Sequence, residues 1–142
     1  MIIYTGGTFD LFHLGHVRLL KQCRDVVGEH GQVVVSLNTD EFVLQFKGKT
    51  PVCSYEERAE VLEACRYVDR VIPNTNGEDS KPAILSVGPQ FVAIGSDWAP
   101  PKDYFKQMQF TQEWLDENSI KLIFLTRTEG ISSTEIQSRM SI

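Results

Sequence analysis

Two histidines three residues apart, His13 and His16, stand in the stretch Gly6 to His16 (GGTFDLFHLGH), directly after a short apolar run, Met1 to Tyr4. In a helix that spacing puts both side chains on one face, one above the other, so that they form one site. Gly6 and Gly7 lack a Cβ and let backbone N–H groups approach a bulky ligand at the turn. The helix start beyond them offers unpaired donors and the positive end of the helix dipole, a corner suited to phosphate. Imidazoles beside such a corner can donate to non-bridging phosphate oxygens and stabilise the charge that grows there during group transfer. A zinc pair would need further ligands at workable spacing. The remaining histidine, His30, sits in a turn-like GEHGQ, so the zinc reading lacks partners and no protein metal ligand is assigned.

Further cations frame this corner. The segment Lys47 to Thr50 (KGKT) places two lysines around a glycine in a polar connection. Spacing alone fits ordinary solvated loop lysines at least as well as phosphate contacts, to which a flexible ammonium is suited. Near the C-terminus, Arg127 to Thr134 (RTEGISST) leads into a helical pattern, with Ser132 and Glu135 at capping-box spacing. Arg127, Thr128 and the serines thus converge on a second helix N-terminus. Capping accounts for Ser132 and Ser133 but not for Arg127, whose planar fork suits phosphate oxygens. Asp97, in GSDW, falls at the end of an apolar run, where open α/β sheets bind ligands. It reads either as a contact to a base, sugar or metal, or as a turn aspartate that caps the next element.

GTFDLFHLGH resembles the signature of the nucleotidyltransferase superfamily that carries an HxGH motif and adenylylates or cytidylylates phosphorylated small molecules. Arg66 to Pro73 (RYVDRVIP) and RTEGISST are similar to the cytidylyltransferase branch, most closely the bacterial glycerol-3-phosphate cytidylyltransferases, and the likeness runs nearly end to end. The resemblance implies transfer of CMP from CTP to a phosphorylated alcohol, glycerol 3-phosphate first, with release of pyrophosphate. It further implies Mg²⁺ bound mainly through the CTP phosphates, a homodimer and a cytoplasmic location. Catalytic roles fall by resemblance on His13, His16, Lys49 and Arg127. Nucleotide contacts fall on Gly7, Thr8, Phe9, Asp10, His13, Gly15, His16, Lys49, Arg66, Asp97, Arg127, Thr128, Gly130, Ile131, Ser132, Ser133 and Thr134, with Thr8 and Phe9 acting through backbone donors. Lys47 and Lys81 would face the acceptor, while Arg66 and Asp69 would shape the nucleotide site and the subunit contact. The glycerol-phosphate enzymes carry a tryptophan and a lysine in the loop that follows RYVDRVIP; here Gly77 and Ser80 hold those places, with Lys81 one residue on. That departure bears on the acceptor rather than on the chemistry.

Three alternatives remain. ATP-dependent transfer, as in pantetheine-phosphate or flavin-mononucleotide adenylyltransferases, is opposed by the RTEGIS segment. A different CTP-dependent acceptor, such as phosphoethanolamine, phosphocholine or another sugar-alcohol phosphate, fits the altered loop. A nucleotide-binding module without catalysis is opposed by the joint presence of His13, His16, Lys49 and Arg127.

The elements that must position these groups alternate between strand and helix. Met1 to Tyr4 reads as a strand, followed by a helix through Val17, Leu20, Cys23 and Val27 that ends near Gly28. Gln32 to Asn38 (QVVVSLN) is a β-branched run with the character of a strand covered on both faces. After a polar connection, Ser54 and Glu57 form a capping box ahead of a helix, on which Arg58 reads as a surface ion-pair partner. Val71 and Ile72 suggest a strand ended by Pro73, Pro82 to Val87 a helix, and Gln90 to Gly95 a strand. Ala99 to Lys102 (APPK) reads as a rigid elbow that could serve as a lid, Asp103 to Asn118 as a helix, and Lys121 to Thr126 as a last strand before the final helix. The expectation is a single Rossmann-like α/β domain over 1–142, with about five parallel strands and helices on both faces.

Composition sets outer limits. The chain of 142 residues suits one domain with a substantial core. A net charge of −5 with interspersed charges gives no basic patch for nucleic acid or anionic membrane. No apolar run approaches the ~20 residues of a membrane helix, and no basic-then-apolar N-terminus is present. The three cysteines, Cys23, Cys53 and Cys65, are far apart and read as reduced thiols used in packing. Neither a P-loop nor a GxGxxG fingerprint occurs, which removes support for kinase and dehydrogenase readings.

Overall fold

The computed structural model describes residues 1–95, 105 and 108–140. Five strands run in one parallel sheet of order β3-β2-β1-β4-β5: β1 Ile2–Gly7, β2 Gln32–Asn38, β3 Arg70–Asn74, β4 Phe91–Gly95 and β5 Lys121–Leu125. Helices among the described residues include α1 Leu14–Val27, α2 Asp40–Lys47, α3 Tyr55–Glu63, α4 Lys81–Val87, α5 Gln112–Glu117 and α6 Ser133–Met140. Strand order reverses at β1, which pairs with β2 on one side and β4 on the other. At such a switch point the connections leave in opposite directions and open a crevice at the strands' carboxyl ends.

The period of two along each strand sorts the core into two layers. Ile3, Val33, Val35, Leu37 and Ala93 point to one face and pack with Leu20 and Cys23 of α1 and Leu62 of α3. Tyr4, Val34, Val92 and Ile94 point to the other and pack with Ile84 of α4 and Leu115 of α5. Both faces of β2 are therefore covered, as its unbroken apolar run requires. Cys23 is buried, and burial pushes its thiol up to about 12, so it behaves as a small apolar residue.

Several elements differ from their sequence reading. Gly6 and Gly7 close β1 rather than forming the turn, which falls on the next five residues. Pro73 lies inside β3 instead of ending it; β3 is an edge strand, where a missing N–H costs no ladder bond. The polar connection after β2 contains α2, capped by the Thr39 hydroxyl at one end and by left-handed Gly48 (φ +74°) at the other. The helix expected over Asp103 to Asn118 is broken before α5: Gln109 has φ +62° and Thr111 starts a new helix by accepting from Trp114 N. Asp97 and the 99–102 elbow lie outside the described residues.

Candidate active site

β1 delivers its chain end to the crevice, and the turn that follows is held in a costly conformation. Phe9 and Leu11 both have positive φ (50° and 49°). Left-handed backbone at a bulky residue costs of order 1–3 kcal/mol and survives where surrounding structure enforces it, commonly at functional sites. Here the Phe9 ring is buried beneath the sheet end, against Gly7, where a Cβ would lie 3.0 Å from the ring.

His13 is the N-cap of α1 and His16 its third residue. Gly15 N donates to His13 Nδ1 at 3.0 Å, and His13 N donates to His16 Nδ1 at 3.2 Å. The HxGH spacing is thus a capping box built from imidazoles in place of hydroxyl and carboxylate. Gly15 is part of it: a Cβ there would stand 2.9 Å from His13 Cε1 and push the capping ring away. Because a backbone N–H can only donate, each Nδ1 must be the acceptor, and in the neutral ring the proton sits on Nε2. The rings stack with centroids 3.8 Å apart, and Phe9 and Phe12 flank His16 at 5.1 and 5.5 Å. Burial lowers the His13 pKa below its ordinary value. Burial first, and the neighbouring His13 second, bring His16 down to about 3 against a small opposing pull from Asp10. Near neutral pH the pair is two uncharged Nε2–H donors rather than bases.

Stability should report this. Below the ordinary imidazole value the unfolded chain takes up a proton that native His16 refuses, so the contribution is complete above pH ~6.5 and is lost as the pH falls towards 3. The expected slope is up to about 1.4 kcal/mol per pH unit in that window. Denaturant titrations at pH 7, 6 and 5 should show it, and His16→Gln, which removes the titrating ring, should flatten much of it. An unchanged slope in the variant would assign the effect elsewhere.

The C-terminal segment is brought onto the same corner. Gln22 of α1 brackets Thr126, donating to its carbonyl and accepting from its N–H, both at 2.9 Å. Ser133 Oγ donates to the Asp10 carbonyl at 2.7 Å, and Ile131 Cγ2 would touch a Cβ on Gly15 at 3.4 Å. Ser132 Oγ accepts from Glu135 N at 3.0 Å and so caps α6. Two helix N-termini, α1 and α6, therefore meet across the turn. Exposed Arg127, with Thr128 and Gly130, lies on the loop that joins β5 to the second of them, and Thr134 is in the first turn of α6.

Asp10 organises the other flank. Its carboxylate accepts from Leu11 N at 3.1 Å, Val52 N at 2.7 Å and Cys53 N at 2.9 Å, drawing the segment after Lys49 back to the turn. Lys47 ends α2 with its ammonium 5.5 Å from the centre of the Phe46 ring, and Lys49 is exposed just beyond the cap. Lys81, in contrast, has its ammonium on Asp79 at 2.9 Å and on the Gln109 carbonyl. Arg66 is exposed with its guanidinium over the Tyr67 ring at 5.5 Å, and Asp69 is held within the chain by Arg24 and by Val33 N at 2.7 Å.

Sequence reasoning missed two features. Arg58 is not a surface partner: it is 2% exposed, and its guanidinium reaches Cys53 O at 3.0 Å, Thr8 O at 2.7 Å, Asn38 O at 3.0 Å and Asp40 Oδ1 at 2.7 Å. It gathers the ends of β1 and β2 and the start of α2 into one knot. The second is a cavity of about 650 Å³ on the β1–β2–β3 side of the crevice, bounded by Thr8, Asn38, Phe42, Lys47, Asn74 and Gly77 among others. Polar residues closing buried strands, Asn38 and Asn74, were the available signal.

A family model described as cytidylyltransferase-like matches residues 4–139. The chain is 38% identical over 139 residues to glycerol-3-phosphate cytidylyltransferase of Bacillus subtilis (strain 168), covering 98% of this chain and 96% of that one. It is 40% identical over 139 residues to an FAD synthase of Pyrococcus horikoshii, covering 98% and 91%. Among solved structures, the lipopolysaccharide core biosynthesis protein from Thermoplasma volcanium GSS1 superposes with a TM-score of 0.72 at 22% identity, over 91% of this chain and 98% of that chain, a likeness of fold.

Proposed function

We propose that this chain, which belongs to the cytidylyltransferase-like family, moves CMP from CTP to a phosphorylated alcohol, glycerol 3-phosphate first, releasing pyrophosphate. The observation that carries the mechanism is the imidazole capping box at the switch point, with both Nδ1 atoms occupied by backbone donors and both Nε2–H groups available. In the reaction an oxygen of the acceptor's phosphate attacks the α-phosphorus, the new P–O bond forms as the bond to the β-phosphate breaks, and the electron pair leaves on pyrophosphate. A phosphomonoester has its second pKa near 6, so the attacking oxygen is ionised at neutral pH and needs no general base. Neutral imidazoles match that requirement: they donate to the oxygens of the crowded phosphorus, where charge stabilisation and positioning carry the rate.

In this reading Thr8 and Phe9 contribute backbone donors, and Gly7 and Gly15 keep the corner clear. Lys49 and Arg127 offset triphosphate charge, and Lys47 meets the acceptor phosphate. Asp10, Thr128, Gly130, Ile131, Ser132, Ser133 and Thr134 shape the nucleotide side together with Arg66. Lys81 would have to leave Asp79 and the Gln109 carbonyl to reach an acceptor. Mg²⁺ fits as a substrate-borne ion: Asp10 commits both carboxylate oxygens to backbone amides, so phosphates and water would supply the ion's oxygen ligands. When bound it would offset charge on the departing pyrophosphate. A homodimer and a cytoplasmic location are part of the same proposal; no described helix is long and apolar enough to cross a membrane.

The likeness to FAD synthase favours one second reading, ATP-dependent transfer to flavin mononucleotide. Pyrophosphate release measured with CTP or ATP against glycerol 3-phosphate, phosphoethanolamine, phosphocholine and flavin mononucleotide separates the two. The expected result is turnover of glycerol 3-phosphate with CTP, about 10²-fold or more above ATP. Turnover confined to ATP with flavin mononucleotide would replace the first reading by the second.

A further inference from the structure

We infer that Gln22 is a positioning residue for nucleotidyl transfer: from the helix that carries His13 and His16, it fixes the backbone from which Arg127 reaches the bound triphosphate. The inference rests on the transfer reading above and adds to it a residue outside the substrate site.

Thr126 is where the sheet stops supporting the chain. The last ladder pair between β4 and β5 joins Gly95 to Leu125, and Thr126 follows it on the way out of an edge strand. The Gln22 amide takes over at that point. Its oxygen accepts from Thr126 N and its nitrogen donates to the Thr126 carbonyl, both at 2.9 Å. One side chain thus satisfies both backbone groups of one residue, as a paired residue on a neighbouring strand would. The same nitrogen lies 3.4 Å from the Arg18 carbonyl. Turning the amide round would set donor against donor at Thr126 N and oxygen against oxygen at both carbonyls, so its orientation is fixed. Arg127 is the next residue along the chain.

The rest of this loop is bound to the same helix. Gly15, Arg18 and Gln22 share one face of α1 by their spacing. Ile131 Cγ2 lies at Gly15 and Thr126 at Gln22, so the segment 126–131 runs along that face. Beyond it, Ser133 Oγ holds the Asp10 carbonyl. Arg127 therefore stands beside one of two pins on the rigid body that presents the imidazoles. Gln22 lies about 9 Å past His16 along the helix axis, at 1.5 Å per residue, which leaves room for phosphates between imidazole and guanidinium. The bracket serves the rate more than the fold. Gln22 is half-buried and Thr126 exposed, so water replaces the lost bonds at little cost to stability. An unpinned Thr126, in contrast, lets the guanidinium drift, and a misplacement of about 1 Å in a group-transfer site costs up to about 10²-fold in rate.

The test is a double-mutant cycle of Gln22→Met and Arg127→Ala, read as kcat/KM for pyrophosphate release with the nucleotide and acceptor that wild type turns over best. Methionine keeps the length and helix propensity of glutamine and removes both hydrogen bonds to Thr126. Alone, Gln22→Met should lower kcat/KM by about tenfold or more, with a thermal unfolding midpoint close to wild type. In the Arg127→Ala background the same substitution should change kcat/KM by less than about twofold, because no guanidinium is left to place. A glutamine that only supports the fold would cost the same factor in both backgrounds, and that result overturns the inference. So does a Gln22→Met enzyme with wild-type kcat/KM, one that fails to fold, or an Arg127→Ala enzyme with wild-type turnover; each leaves the transfer reading standing. Absence of pyrophosphate release from wild type with every acceptor and with either CTP or ATP overturns both.

Discussion

His16→Ala is expected to lower kcat with CTP by roughly 10²–10³-fold, the cost of removing one preorganised donor from a developing oxyanion, while KM for CTP changes little. The split follows from when the contact matters: a donor that strengthens its bond as charge accumulates acts on the transition state more than on bound substrate. The alanine variant also strips the acceptor from His13 N, so about 1 kcal/mol of helix capping should disappear with the activity. His16→Gln separates the two effects, because glutamine is a natural third residue of a capping box and can still accept from that N–H. Its unfolding midpoint should stay near wild type at pH 7 while its turnover stays low. A glutamine variant with near-wild-type kcat would reduce the imidazole to a helix cap.

The capping arrangement also explains how much of the site could be read in one dimension. Spacing of three placed both rings on one helix face, and the stacked pair at 3.8 Å agrees. That the first ring is itself the N-cap was hidden, because histidine is not among the usual capping residues. Where ordinary residues do the same work, as Ser54 and Glu57 do for α3, the local pattern sufficed. β2 was legible because burial on both faces leaves a continuous apolar run. Its neighbour β3 was read short because edge position, which makes Pro73 harmless, belongs to the whole sheet and not to any local window. α2 escaped notice because it buries only Val43 and ends in lysine and glycine that resemble loop chemistry, although Thr39 and Gly48 mark its two ends. The knot at Arg58 and the amide chain through Asn38 and Asn74 join residues up to 50 apart, and such contacts leave no periodic trace.

Arg58 carries the largest expected effect on stability. As a surface ion-pair residue its replacement would cost about 0–1 kcal/mol. In the structure, Arg58→Met would leave the carbonyls of Thr8, Asn38 and Cys53 without this donor and take the cation from Asp40, a loss of about 3–5 kcal/mol. For a chain of this size that is a fall in Tm on the order of 10 °C. Asp40→Asn is the control: its one side-chain oxygen can still accept from Arg58, at the cost of the bond from Tyr55 N to the other carboxylate oxygen, so the loss should be smaller, about 1–2 kcal/mol. Because Thr8 and Asn38 edge the crevice, Arg58→Met assayed well below its midpoint should also show raised KM values, since the strand ends that present the donors are no longer tied together. Urea denaturation of the two variants beside wild type decides the matter. A methionine variant that loses less than about 1 kcal/mol, or no more than Asp40→Asn, would return Arg58 to the surface role that its sequence suggests.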